Sequence, residues 1–199
     1  MSPHRVQAKF VLDLPEGFMS DRVVPVFHRW IPSDRTGELL LDVADYRHVH
    51  AGPGIVLVGH EADYVFERID GWFGFRYVRK RNVPPSLPAA LALAIRGAVR
   101  GARLLLEDLA QPLAAADLSW VELTIVDPLR YPNDGSGFSS VAGAVTALLG
   151  FSGLMRGVPE RVSMDPREPL RVRVPLGETG RLDVLEALHA PAEDGHALA

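Results

Sequence analysis

The strongest periodic pattern runs from Leu87 to Leu109. Leu91, Ile95, Ala98, Ala102, Leu105 and Leu109 recur there at spacings of three and four, which places them on one face of a helix. Arg96, Arg100, Arg103 and Glu107 fall on a separate stripe. Ser86 suits the N-cap and Pro88 the first turn. A shorter helix is predicted after Ser20 or Asp21, with Val23, Phe27 and Trp30 on one stripe. Pro25 is tolerable only near its start, and Pro32 ends it. The Ala-rich stretch Val141 to Leu149, capped by Ser139 or Ser140, predicts another helix, and Asp183 to His189 a last short one.

Between these lie shorter runs with the composition of strands: Val6–Leu14, Leu39–Val43, Ile55–Val58, Tyr64–Arg68, Trp72–Arg79, Ser119–Val126, Arg161–Met164 and Leu170–Val174. The pair around Ile69-Asp70-Gly71 carries the best hairpin signal, an Asp-Gly turn. Strands come in runs and do not alternate strictly with helices. The expectation is therefore α+β: a mostly antiparallel sheet with a central hairpin and two main helices packed on one face. Residues 1–177 are expected to form one domain, with a lobe joint near the three prolines of 82–88.

Charge adds a tail to this picture. The chain of 199 residues has 21 basic and 25 acidic side chains, a net charge of −4. Glu178, Asp183, Glu186, Glu193 and Asp194 against Arg181 account for all of it, so 178–199 reads as an acidic C-terminal segment, partly helical or flexible. The balanced remainder lacks the electrostatic footprint of a nucleic-acid binder. Absence of cysteine excludes disulfides and thiolate chemistry. No apolar run reaches the roughly 18 residues of a membrane span, and the N-terminus lacks the apolar core of a signal peptide. The expected location is the cytoplasm.

Candidate chemistry concentrates between Asp42 and Tyr64. Three of the seven histidines (His48, His50, His60) lie there with Asp42, Asp45, Glu61 and Asp63. Without thiolates, imidazole and carboxylate are the donors for zinc, iron or manganese. A divalent-metal site of His48, His60, Glu61 and Asp63 is one expectation. If Ala51–Gly54 is a four-residue hairpin loop, Asp45 faces His60, and alternation puts His48, His50 and Glu61 on the other face. In the enzymatic reading His60 is a general base and Asp45 orients it, with the neighbouring Glu61 as a further catalytic candidate. If the segment is a loop, the three histidines converge.

Other motifs add less. Gly52, Gly54 and Gly59 fail as a dinucleotide fingerprint because two precede the strand. Asp134–Ser140 lies between a strand and a helix, where free amides hold anions. Gly150-Phe151-Ser152-Gly153 is one residue short of a nucleophile elbow.

The segments Pro25–Ile31, Asp42–Val49 and Gly59–Tyr64 resemble a bacterial family of uncharacterised proteins of similar length, over about the first 80 residues. The resemblance implies a soluble bacterial protein and carries no activity. Two functional readings follow from the residues. One is a small-molecule or metal-binding protein, in one version an enzyme, with the His/carboxylate site above. The other is a non-catalytic interaction or self-association module using the aromatic-basic hairpin 72–81 and the arginines 96, 100 and 103, a surface suited to a second copy or an acidic partner.

Overall fold

The computed structural model describes residues 3–69, 71–150, 153–177 and 182–189. Eight strands form one antiparallel sheet: β1 (Val6–Leu12), β2 (Leu40–Asp45), β3 (Ile55–Gly59), β4 (Ala62–Ile69), β5 (Trp72–Arg79), β6 (Ala116–Ile125), β7 (Glu160–Arg161) and β8 (Leu170–Pro175). Their order is β2-β3-β4-β5-β1-β6-β8-β7. Four helices complete a mixed α+β fold: α1 (Val23–Trp30), α2 (Leu87–Asp108), α3 (Gly135–Val145) and α4 (Leu182–Glu186).

The first strand enters the middle of the sheet, pairing with β5 on one side and β6 on the other. Its alternation is strict. Val6, Ala8, Phe10 and Leu12 are buried, while Gln7, Lys9 and Val11 point to the opposite face with intermediate burial. α2 crosses β1 and β5 on the face of the buried set. Two glycines set its distance from the sheet. A Cβ on Gly97 would meet the Tyr77 ring at 2.7 Å, and one on Gly101 would meet the Phe75 ring at 2.6 Å. The sequence places small residues in the helix where it crosses large aromatics on the strand, and close packing follows.

Most predicted boundaries move by one to three residues, as fraying ends do. Three differences are larger. α3 starts at Gly135 because Asp134 caps it, accepting from the Ser136 and Gly137 amides at 2.8 and 3.0 Å. Ser139 and Ser140 are already inside the helix, with their hydroxyls donating to the Gly135 and Ser136 carbonyls at 2.8 and 3.0 Å. β7 is only two residues long. The chain between β2 and β3 is a long connection, residues 46–54, and not a four-residue loop. Asp70 of the Asp-Gly turn lies outside the described residues, but β4 and β5 pair from Ala62↔Arg79 to Ile69↔Trp72 around it.

Candidate functional site

The β2–β3 connection decides the fate of the predicted dyad. After Asp45 the chain folds into successive turns, with the Val49 amide donating to Tyr46 O and the Gly52 amide to Val49 O. It closes where the Tyr46 amide donates to Gly54 O at 2.7 Å. Gly54 has φ +84°, and a Cβ there would lie 2.3 Å from Phe66 O. Asp45 is therefore the partner of Ile55. His60 follows the far end of β3, about 16 Å away along the strand at ~3.3 Å per residue. The expected Asp45–His60 pair does not form.

Each member of the predicted set has other company. Asp45 pairs with Arg47, whose Nη2 lies 2.5 Å from Oδ2. The hydrogen bonds from that guanidinium hold the Asp45 carboxyl down at about 2. Arg47 also pairs with Asp21. His48 and His50 are exposed in the connection. His60 is exposed too, with the Arg81 guanidinium 3.2 Å from Nδ1. Glu61 accepts from Asn82 Nδ2 at 2.6 Å and pairs with Arg79, and these contacts lower its pKa. Asp63 accepts from the Gly59 amide at 3.1 Å and from Lys80 Nζ at 2.6 Å. Among the described residues no group of three or more histidines and carboxylates is placed to hold a metal ion. The anion site considered at the start of α3 is taken by the Asp134 carboxylate itself.

Glu61 does reach a polar network that the sequence reading missed. Arg79, buried at the end of β5, bridges Glu61 to Glu38, with its Nη1 3.0 Å from Glu38 Oε1. The Tyr64 and Tyr77 hydroxyls donate to the same carboxylate at 2.9 and 2.7 Å. Burial and the Glu38 charge push both phenols up, so they stay neutral donors. A cleft of about 480 Å³ lies alongside, lined also by Arg96, Arg100 and His189. Glu38 already accepts three hydrogen bonds, so this network reads as a brace joining the β2 approach to the β4–β5 hairpin.

One member of the arginine stripe is ion-paired within the chain, and most of the aromatic hairpin is buried. Arg103 pairs with Asp183 and Glu186 of the chain's own acidic segment at 2.6 and 3.1 Å. Phe73, Phe75 and Tyr77 are buried, and Trp72 alone of the four hairpin aromatics is exposed, at 63%. The β2 edge is blunted by a bulge at Leu41 and by Asp42, which accepts the Val43 amide at 2.8 Å.

A different site lies on the sheet face turned away from α2. Gly74 in β5 is the neighbour of Glu67 in β4. Gly74 lines a hollow there, and the Glu67 side chain lies so close over it that a Cβ would stand 3.2 Å from Glu67 Cγ and 3.4 Å from Oε1. Glycine inside a strand marks such close approaches. Trp72 stands on one side. On the other, the β1–β6 register shifts between Lys9 and Val11, and Trp120 stands beside that bulge. The groove has a volume of about 310 Å³ and includes Lys9, Glu122 and Arg173.

Its floor is a ladder of charges. Arg76 Nη2 is 3.0 Å from Glu67 Oε2. Lys9 Nζ is 3.7 Å from Glu67 Oε1 and 3.1 Å from Glu122 Oε1. Arg173 and Arg171 approach Glu122 at 3.6 and 4.0 Å. Arg173 also lies over the Trp120 ring, 4.5 Å from its centroid. Both glutamate side chains are only 6% exposed. Glu67 Oε1 accepts no hydrogen bond, because Lys9 is within electrostatic range but beyond bonding distance. The available sequence signals were Gly74 between aromatics and lone charges inside apolar strands.

No protein-family model, no curated protein and no solved structure matches the chain. Among the described residues no helix is long and apolar enough to cross a membrane.

Proposed function

We propose that this protein binds a small organic molecule in the groove between Trp72 and Trp120. The observation that carries the reading is the groove itself, a hollow of about 310 Å³ with Trp72 and Trp120 in its walls and charged side chains in its floor. Its volume and its mix of aromatic and polar lining are those of a small-molecule site. Trp72 is a large exposed aromatic on this otherwise charged sheet face. The His/carboxylate residues near β3 offer no comparable setting, since they are exposed or paired with arginine and lysine.

The three tryptophans provide the test. Trp30 is fully buried and donates Nε1–H to Asp108 at 2.6 Å, so its indole signal is an internal reference. Addition of D-glucose, benzyl alcohol, benzyltrimethylammonium or benzoate is followed by NMR of the indole N–H groups. At least one probe should give saturable shifts of Trp72 and Trp120 with Trp30 unmoved. Gly74→Val, which fills the hollow, should remove the response. The reading is wrong if no probe shifts the two signals, or if Gly74→Val with a native Trp30 signal responds like the parent. Should Gly74→Val unfold, Trp72→Ala at an exposed position serves in its place.

A further inference from the structure

We infer that the groove takes a substituted ammonium ion, an organic cation whose nitrogen carries alkyl groups; the inference rests on the binding function proposed above. Charge is the first argument. Lys9 and Arg173 line the groove together with Glu67, Glu122 and Asp117. Both cations are committed to the two glutamates. Lys9 Nζ stands between Glu67 and Glu122 at 3.7 and 3.1 Å, and Arg173 lies 3.6 Å from Glu122. Arg76 and Arg171, outside the lining, approach the same two carboxylates. Asp117 is different. It is half-buried, and among the described residues it takes part in no ion pair. Its Oδ1 accepts from the Ser119 amide at 2.8 Å. A positive charge beside Asp117 meets a carboxylate that no side chain neutralises, and a negative one is repelled there.

The strand register places this carboxylate beside an apolar stretch of floor. Asp117 is the partner of Val11, and Val11 is the partner of Gly74 in the strand beyond. From Asp117 to Gly74 the groove is therefore floored by one valine side chain and bare backbone. Trp72, two residues from Gly74 along the same strand and 63% exposed, and Trp120 beside the β1–β6 bulge form the walls. The face of an indole attracts cations through its quadrupole. Trp120 already holds one in this way, since the Arg173 guanidinium lies 4.5 Å from its centroid. Trp72 is the ring left for a ligand.

The shortage of acceptors selects the kind of cation. A primary ammonium brings three N–H donors and a guanidinium five, and each needs an acceptor. The lining offers one carboxylate outside the ion pairs, and the heads of Lys9 and Arg173 are themselves donors. An alkylated ammonium spreads its charge over C–H groups, which need no acceptor and pack against aromatic rings. A volume of about 310 Å³ admits such a head with a short apolar body.

The experiment compares probes that share a phenyl ring and differ in charge: benzyltrimethylammonium, benzyl alcohol and benzoate, with D-glucose beside them. The indole N–H signals of Trp72 and Trp120 are followed by NMR. Benzyltrimethylammonium should bind saturably and roughly tenfold or more tightly than benzyl alcohol, and benzoate should not bind. Asp117→Asn, checked for native stability by urea titration, should weaken the cation roughly tenfold or more and leave benzyl alcohol unchanged. Should Asp117→Asn unfold, Asp117→Ser, which keeps an acceptor for the Ser119 amide, serves in its place. Trp72→Ala should abolish the response at Trp120. Saturable shifts from benzyl alcohol, benzoate or glucose without the ammonium would leave the groove a binding site and overturn the cation. An ammonium bound no more tightly than benzyl alcohol, or equally well by parent and Asp117→Asn, would overturn it too. Silence from every probe would overturn both readings.

Discussion

Replacing Gly97 by alanine should destabilise the protein, although the same change in an ordinary helix does the reverse. Alanine in a helix interior is favoured over glycine by about 1 kcal/mol. At Gly97 the new methyl would lie 2.7–2.8 Å from three atoms of the Tyr77 ring, against a normal carbon contact of about 3.5–4.0 Å. The ring would have to retreat by most of an ångström. It is tethered at its far end, where the hydroxyl donates to Glu38 Oε1 at 2.7 Å, and it is 1% exposed. Overpacking of this kind costs about 1–3 kcal/mol, and stretching a bond to a carboxylate adds about 1–2 kcal/mol. Against the propensity gain, the net loss is about 2 kcal/mol. Urea titration should show the midpoint falling with an unchanged slope, and the melting temperature should drop by about 4–8 °C. Gly143, exposed in α3 with nothing within 4 Å of a Cβ, is the control, and Gly143→Ala should stabilise by about 0.5–1 kcal/mol. A Gly97→Ala protein as stable as its parent would refute the claim that Gly97 sets the helix–sheet distance.

Two further predictions concern the polar contacts. Glu38→Ala strips the acceptor from Tyr64, Tyr77 and Arg79 together and should cost about 3–5 kcal/mol, whereas Tyr77→Phe removes one donor and should cost about 1 kcal/mol. Denaturation curves ranking the two in the opposite order would dismiss Glu38 as the brace. Asp45 should titrate by NMR near pH 2, and Arg47→Gln should return it toward 3.8. Its folded pKa lies below the unfolded one, so the contribution to stability is full above pH 3.8 and fades as pH falls through about 2. A midpoint that ignores Arg47→Gln would show that the guanidinium is not the cause.

Local signals in the chain were enough for most elements. A 3.6-residue period over α2, a serine before it and an Asp-Gly pair between two β-rich runs act over neighbours in sequence, so they can be read from it. The α+β class follows from their order. The candidate site did not follow. A four-residue loop at Ala51–Gly54 would set Asp45 opposite His60. The turns of 46–54, closed at Tyr46 and Gly54, shift the register so that Asp45 meets Ile55. Register depends on where a turn closes, and a one-residue change redirects every side chain beyond it.

The groove lies further from sequence reach. Lys9, Glu67, Glu122 and Arg173 come from β1, β4, β6 and β8, and they meet only because β1 enters the sheet between β5 and β6. Each looks like a lone charge in a strand. The amino-acid pattern alone determines which segments become strands and helices and which strand face is apolar, since those depend on residues a few positions apart. The order in which the strands assemble belongs to the tertiary fold. That order turned isolated charges and a mid-strand glycine into a buried ladder beneath a hollow, because long-range pairing decides which side chains share a face.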